Sequence, residues 1–233
     1  MNDSMVGERA WDSFGAYLFD IDGTLLNCSD AVHYFSFCDV LQKISGRNIN
    51  LDGITAHGNT DIGILRDALQ KSGIADEQWR PQLEDWRKQM GEFFEDHEDE
   101  LCVSALPGVH QVLDHLRRKG AVLGLATGNL EKIGRLKLEK ANILHYFSVA
   151  GWSDHYEYRS DVFRHAISQM CAATHREVNM CVFGDTPADV FAAHVNDLPI
   201  IAVATGVYTQ AHLLEARPEL CLPTLQTLLL PAI

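Results

Sequence analysis

The sequence predicts an α/β protein: a doubly wound, mainly parallel sheet of Rossmann-like type, interrupted by an inserted α-helical cap domain. Short apolar runs at residues 16–19, 121–126, 180–183 and 200–204 stop abruptly in small or polar residues, as strands buried on both faces do. Segments with helical spacing, 109–119, 130–141, 161–173 and 187–195, alternate with them. Between about residues 28 and 103 the alternation fails, and only helical or loop patterns are found.

In chain order, the Ala-Tyr-Leu-Phe run at 16–19 opens the sheet and ends at Asp20. Residues 32–44 and 62–72 carry apolar side chains at helical intervals, and residues 79–95 place Leu83, Trp86, Met90, Phe93 and Phe94 on one stripe. The Leu106-Pro107-Gly108 turn returns the chain to strand–helix alternation. The expected division is therefore an α/β core of residues 1–27 and 104–233 and a helical cap of residues 28–103. In open sheets of this kind ligands bind at the carboxyl ends of the strands.

The 233 residues hold 19 basic and 32 acidic side chains, a net charge of -13, which opposes binding to nucleic acid or anionic membranes. The first fifteen residues lack the apolar stretch of a signal peptide, and no run approaches the about 20 residues that span a bilayer. A soluble, cytoplasmic protein is expected, as a monomer or a homodimer. Six cysteines without a CxxC pair predict reduced thiols, and eleven histidines without a metal-binding spacing predict no zinc site. The acidic run at 95–100 is expected to be a solvated surface.

The polar residues that follow the predicted strands converge on one sheet edge. Asp20 and Asp22 follow the first, Thr127-Gly128-Asn129 another, and Gly184-Asp185-Thr186-Pro187-Ala188-Asp189 a third. Carboxylates gathered there repel one another unless a cation lies among them, and hard oxygen donors suit Mg2+. In Asp20-Ile21-Asp22 one carboxylate can attack a phosphorus atom while the other handles protons. Gly23 and Thr24 fit a turn that brings backbone N–H groups close to a phosphate.

These segments resemble the haloacid dehalogenase superfamily, in its phosphatase branch with a helical cap after the first motif. The matching segments are Asp20-Ile21-Asp22-Gly23-Thr24-Leu25, Thr127-Gly128-Asn129 and Gly184-Asp185-Thr186-Pro187-Ala188-Asp189. The resemblance implies Asp20 as nucleophile, Asp22 as general acid and base, and Mg2+ held by Asp20, Asp185 and the backbone carbonyl of Asp22. It places Thr127 and Gly128 on the phosphoryl oxygens, with Asn129 close by. Where the family usually has a lysine, this chain reads Tyr158-Arg159-Ser160-Asp161, so Arg159 is expected to neutralise the nucleophile and the transferring group. Asp189 either orients this arginine or binds metal through water.

Within the cap, His57-Gly58-Asn59-Thr60-Asp61 is similar to a segment of phosphoglycolate phosphatase-like members that faces the active site. His57 or Asn59 is a candidate for substrate contact, with Asn59 or Thr60 as a helix N-cap the competing reading. Arg47 is a candidate partner for a substrate carboxylate, on charge alone. The expected activity is Mg2+-dependent hydrolysis of a small phosphorylated metabolite. The rivals are a sugar-phosphate mutase of the β-phosphoglucomutase type and a non-catalytic phosphometabolite-binding module.

Overall fold

The computed structural model describes residues 5–174 and 178–229. A two-residue ribbon, β1 (Met5–Val6) and β2 (Arg9–Ala10), precedes β3 (Ala16–Phe19), and β4 (Leu26–Cys28) leads into four helices: α1 (Val32–Ser45), α2 (Asp61–Lys71), α3 (Asp76–Trp79) and α4 (Leu83–Asp96). β5 (Val103–Ala105) then leads to α5 (Val109–Arg118), β6 (Val122–Ala126), α6 (Glu131–Lys140) and β7 (Val149–Gly151). The chain ends with α7 (Arg159–Thr174), β8 (Met180–Gly184), α8 (Pro187–Val195), β9 (Ile200–Val203), α9 (Gln210–Glu215) and β10 (Leu220–Leu222).

Six strands form one parallel sheet in the order β10-β9-β8-β3-β6-β7. Every residue of β3, β8 and β9 is buried, which is why these segments are continuously apolar rather than alternating. The register sets Leu18 beside Gly124 and Val182, and Phe19 beside Leu125 and Phe183. Phe19 and Phe183 stack with ring centroids 4.7 Å apart. Because β3, β6 and β8 are parallel neighbours, the residues just past them lie along one edge of the sheet.

The helical insert joins the sheet through an antiparallel ribbon in which Leu26 pairs with Ala105 and Cys28 with Val103. Its core gathers Phe37, Leu41, Leu65, Trp79, Trp86 and Phe94, with Leu130 and Ile133 of the α/β part packed against them. Thr60 caps α2, its side chain accepting from Gly63 N–H, and Gly46 ends α1 in a left-handed conformation. At the sheet edge, Thr186 and Asp189 form a reciprocal capping box around Pro187 at the start of α8.

Sequence patterning misses the short strands β4, β5, β7 and β10. Each has three residues, and in each at least one is only partly buried, so no apolar run marks them. No helix among the described residues is long and apolar enough to cross a membrane. The six cysteines are free.

Candidate active site

Asp20 leaves the end of β3 with its N–H donating to the Phe183 carbonyl at 3.0 Å, which turns it beside the end of β8. There Asp20, Asp185 and Asp189 each offer an oxygen within 4.8 Å of the others, all three side chains being buried. Arg159, the first residue of α7, enters between them: its Nη2 lies 2.6 Å from Asp20 Oδ1 and 2.6 Å from Asp189 Oδ1. Neither contact has the alignment of a hydrogen bond, so charge carries the attraction, and Arg159 Nε is buried without a hydrogen-bond partner among the described residues. The acidic residues nearest Arg159 in the chain go elsewhere, Asp161 to Arg164 and Glu157 to Arg66 and Arg80.

Three buried carboxylates against one guanidinium leave an excess of negative charge, and it shows in the protonation of Asp20 and Asp185. Burial pushes Asp20 up to about 6, with Asp189 and Asp22 adding to the rise and Arg159 opposing it. Asp185 is raised well above the usual carboxylate range by burial and by Asp20 and Asp189. A divalent cation fits this donor set, because it relieves the repulsion with hard oxygens already in place. The donors are not equally available. Asp189 has one oxygen against Arg159, while the other accepts from Thr186 N and Oγ1. Asp185 accepts only from Thr24 among the described side chains, at 3.1 Å. Asp20 and Asp185 are thus the better placed for a metal, and Asp189 is engaged in orienting the arginine.

Asp22 faces a different environment. Its carboxylate lies outside the three-aspartate cluster and receives Lys137 Nζ on both oxygens at 2.9 and 2.8 Å, Asn129 Nδ2 at 2.8 Å and Cys28 Sγ at 3.1 Å. Burial would raise its pKa, but the charges of Lys137 and His33 and the bonds from Lys137 and Asn129 outweigh it and hold Asp22 below the usual range. Sequence reasoning missed Lys137. Its signal was present: on α6, Lys137 falls four residues after Ile133 on the same buried face as Gly134 and Leu138. A lysine on an apolar stripe needs a buried partner.

The phosphate-loop candidates are brought together. Thr127 is fully buried, and its Oγ1 accepts from Asn129 Nδ2 at 2.9 Å. Asn129 is turned toward Asp22 and Lys137. Gly23, at φ +79°, supplies the turn expected of it, but its N–H donates to the Leu26 carbonyl, and its lack of a Cβ makes room for Asp185.

The helical insert sits directly on this loop. Asp61 N–H donates to the Gly128 carbonyl at 2.8 Å, and Asp61 Oδ2 accepts from Leu130 N–H at 2.8 Å. Only a glycine fits at 128, since a Cβ there would collide with the Asn59 carbonyl. Two further ties are Thr60 Oγ1 to the Glu157 carbonyl, at 2.8 Å, and the grip of Arg66 and Arg80 on the Glu157 carboxylate. Of the insert residues singled out, Asn59 reaches the site through its backbone, while its side chain bonds within its own loop and to Asp67. His57 is exposed on that loop. Arg47 is exposed in the turn after α1, and among the described residues no ion pair ties it to the aspartate cluster. His33, missed from the sequence, touches both Asp61 Oδ1 and Lys137 Nζ at 3.2 Å.

Fold and site together define an α/β protein with a carboxylate centre at the carboxyl edge of its sheet and a helical insert seated over it. Residues 17–203 match the haloacid dehalogenase-like hydrolase family, and the chain belongs to that family. Curated proteins give no match in sequence. Among solved structures the fold is similar to a protein from Clostridium acetobutylicum provisionally described as a phosphatase, with TM-score 0.69, 20% identity, and coverage of 92% of this chain and 96% of that one. It is similar to CbbY from Rhodobacter sphaeroides, solved with phosphate, with TM-score 0.69, 19% identity and coverage of 93% and 96%. A Thermotoga maritima protein provisionally described as a β-phosphoglucomutase gives TM-score 0.57, 19% identity and coverage of 92% and 96%. At these identities the likeness is one of fold.

Proposed function

We propose that the protein is a Mg2+-dependent phosphomonoester hydrolase that acts on a small phosphorylated metabolite through an aspartyl-phosphate on Asp20. The observation that carries this reading is the sorting of two aspartates only two residues apart. Asp20 lies with Asp185 beside Arg159, while Asp22 is held apart by Lys137 and Asn129. That division supports attack by the first and proton transfer by the second.

In the first step an Asp20 oxygen bonds to phosphorus as the bond to the leaving oxygen breaks, and Asp22 gives that oxygen a proton. In the second, water attacks the phosphorus, Asp22 takes its proton, and the Asp20 oxygen–phosphorus bond breaks to release phosphate. Arg159 offsets charge on Asp20 and on the phosphoryl oxygens, and Thr127 and the Gly128 backbone cradle the group. Mg2+, held by Asp20, Asp185 and the backbone carbonyl of Asp22, would shield the phosphoryl charge.

A panel of sugar phosphates, phospho-acids and nucleotides, assayed with Mg2+ for released phosphate and for isomerised sugar phosphate, tests the reading. Release of phosphate that is abolished by Asp20→Asn is expected. Isomerisation without release would favour the mutase, and binding without turnover across the panel would favour the non-catalytic module.

A further inference from the structure

We infer that Lys137 is a positioning residue for Asp22: its ammonium holds that carboxylate out of the metal cluster and in place to take the proton from water when the aspartyl-phosphate is hydrolysed. The inference rests on the roles proposed for Asp20 and Asp22. Lys137 projects from α6 inside the α/β part, and its side chain is 3% exposed. Its three N–H bonds have three acceptors within reach, both oxygens of Asp22 and Asn129 Oδ1 at 2.9 Å, and His33 Nδ1 lies 3.2 Å away. The charge lies 5.9 Å from the centre of the Phe94 ring. No freedom remains for it to serve elsewhere.

The consequence falls on Asp22. An aspartate two residues from Asp20, at the mouth of a cluster that attracts cations, has an obvious competing position as a fourth metal-facing carboxylate. Lys137 removes that alternative by offering a fixed positive charge on the opposite side, and Asn129 fixes the plane of the carboxylate through a second bond. Asn129 also ties Thr127 Oγ1 to the same network. The phosphate loop and the proton-transfer group are thereby set in register by one lysine. Through His33, which also meets Asp61, the same ammonium touches the helical insert.

Loss of a clamp on Asp22 has a kinetic signature that loss of packing lacks. With 4-nitrophenyl phosphate the leaving phenolate needs little help from a proton donor, so Asp20 is still phosphorylated. Hydrolysis of the aspartyl-phosphate still needs Asp22 to take a proton from water. Rapid-mixing assays with Mg2+ on the wild type, Lys137→Met and Asp20→Asn test this. For Lys137→Met the expected trace is a burst approaching one equivalent of nitrophenolate, then a steady rate at least about 30-fold below wild type, with KM falling alongside kcat. Circular dichroism melting establishes that the variant is folded, and Lys137→Gln is read in the same way should the methionine variant fail to fold.

A wild-type steady rate in a folded Lys137 variant overturns the inference, and so does loss of burst and steady rate in equal proportion, which a merely structural lysine would give. Asp20→Asn separates the two levels. If it still turns over, the aspartyl-phosphate reading fails; if it is inactive and Lys137→Met shows no burst, only the role of Lys137 fails.

Discussion

Arg159 Nη2 stands 2.6 Å from Asp20 Oδ1, at the place in the chain where the family resemblance leads one to expect a lysine. The same nitrogen is 2.6 Å from Asp189, whose side chain has no exposure. One guanidinium therefore spans two carboxylates, a task that a lysine's compact ammonium performs less rigidly. Arg159→Met should lower kcat by about 100-fold or more. It should also lower the unfolding free energy in urea by about 3 kcal/mol, because Asp189 is left buried and unpaired. Arg159→Lys should recover more of the stability than of the rate. Equal recovery of both would mean that the guanidinium has no advantage over an ammonium in the chemistry.

The protonation of the cluster gives a second prediction, with a definite sign. Asp20 is raised to about 6, and Asp185 is raised as well, so without metal the folded chain keeps protons that the unfolded chain releases. Asp20 makes the metal-free fold lose stability as pH rises through the interval between the unfolded carboxylate value, about 4, and about 6, and Asp185 acts in the same direction. A bound cation reverses that loss. Saturating Mg2+ should raise Tm more at pH 7.5 than at pH 5, and titration calorimetry near pH 5.5 in buffers of different ionisation enthalpy should show proton release on binding. Equal shifts in Tm at the two pH values would contradict this account of the cluster.

The insert is fastened by charge at Glu157, which receives Arg66 from α2 and Arg80 from the turn after α3. These groups are partly exposed, so Glu157→Ala should change global stability by no more than about 1 kcal/mol. Its effect should be local: faster limited proteolysis in the 46–60 loop, reproduced in the wild type by raising the salt concentration. Unchanged cleavage would show that the Asp61 and Thr60 bonds suffice without the ion pairs.

Gly128 offers a steric test of the same contact. A methyl group at Gly128→Ala would meet the Asn59 carbonyl and force the loop and the insert apart. A fall in kcat/KM of at least about tenfold is expected, with the far-UV spectrum unchanged. Wild-type kcat/KM would mean that the two backbones need not approach so closely during turnover.

What the sequence could and could not reveal follows from how each residue reaches the site. Asp20, Asp185 and Thr127 were legible because each directly follows a strand buried on both faces, where a continuous apolar run ends in polar residues. Arg159 was legible only through the family resemblance, as the basic residue where a lysine is usual, and its contact with two carboxylates was not. Lys137 and His33 lie within helices, two turns into α6 and at the start of α1, and only tertiary packing brings them to Asp22 and Asp61. No local pattern encodes that meeting. The same holds for β4 and β5, whose pairing joins residues more than seventy positions apart in runs of three.

The central claim is that Asp20 carries the phosphoryl group, and the most direct measurement is to find it there. The protein is mixed with Mg2+ and 4-nitrophenyl phosphate, quenched in acid within the first turnovers, and digested for peptide mass spectrometry. A phosphoryl adduct on Asp20 is expected, absent from Asp20→Asn, which should not turn over. Turnover by Asp20→Asn, or an adduct on any other residue, would contradict the claim.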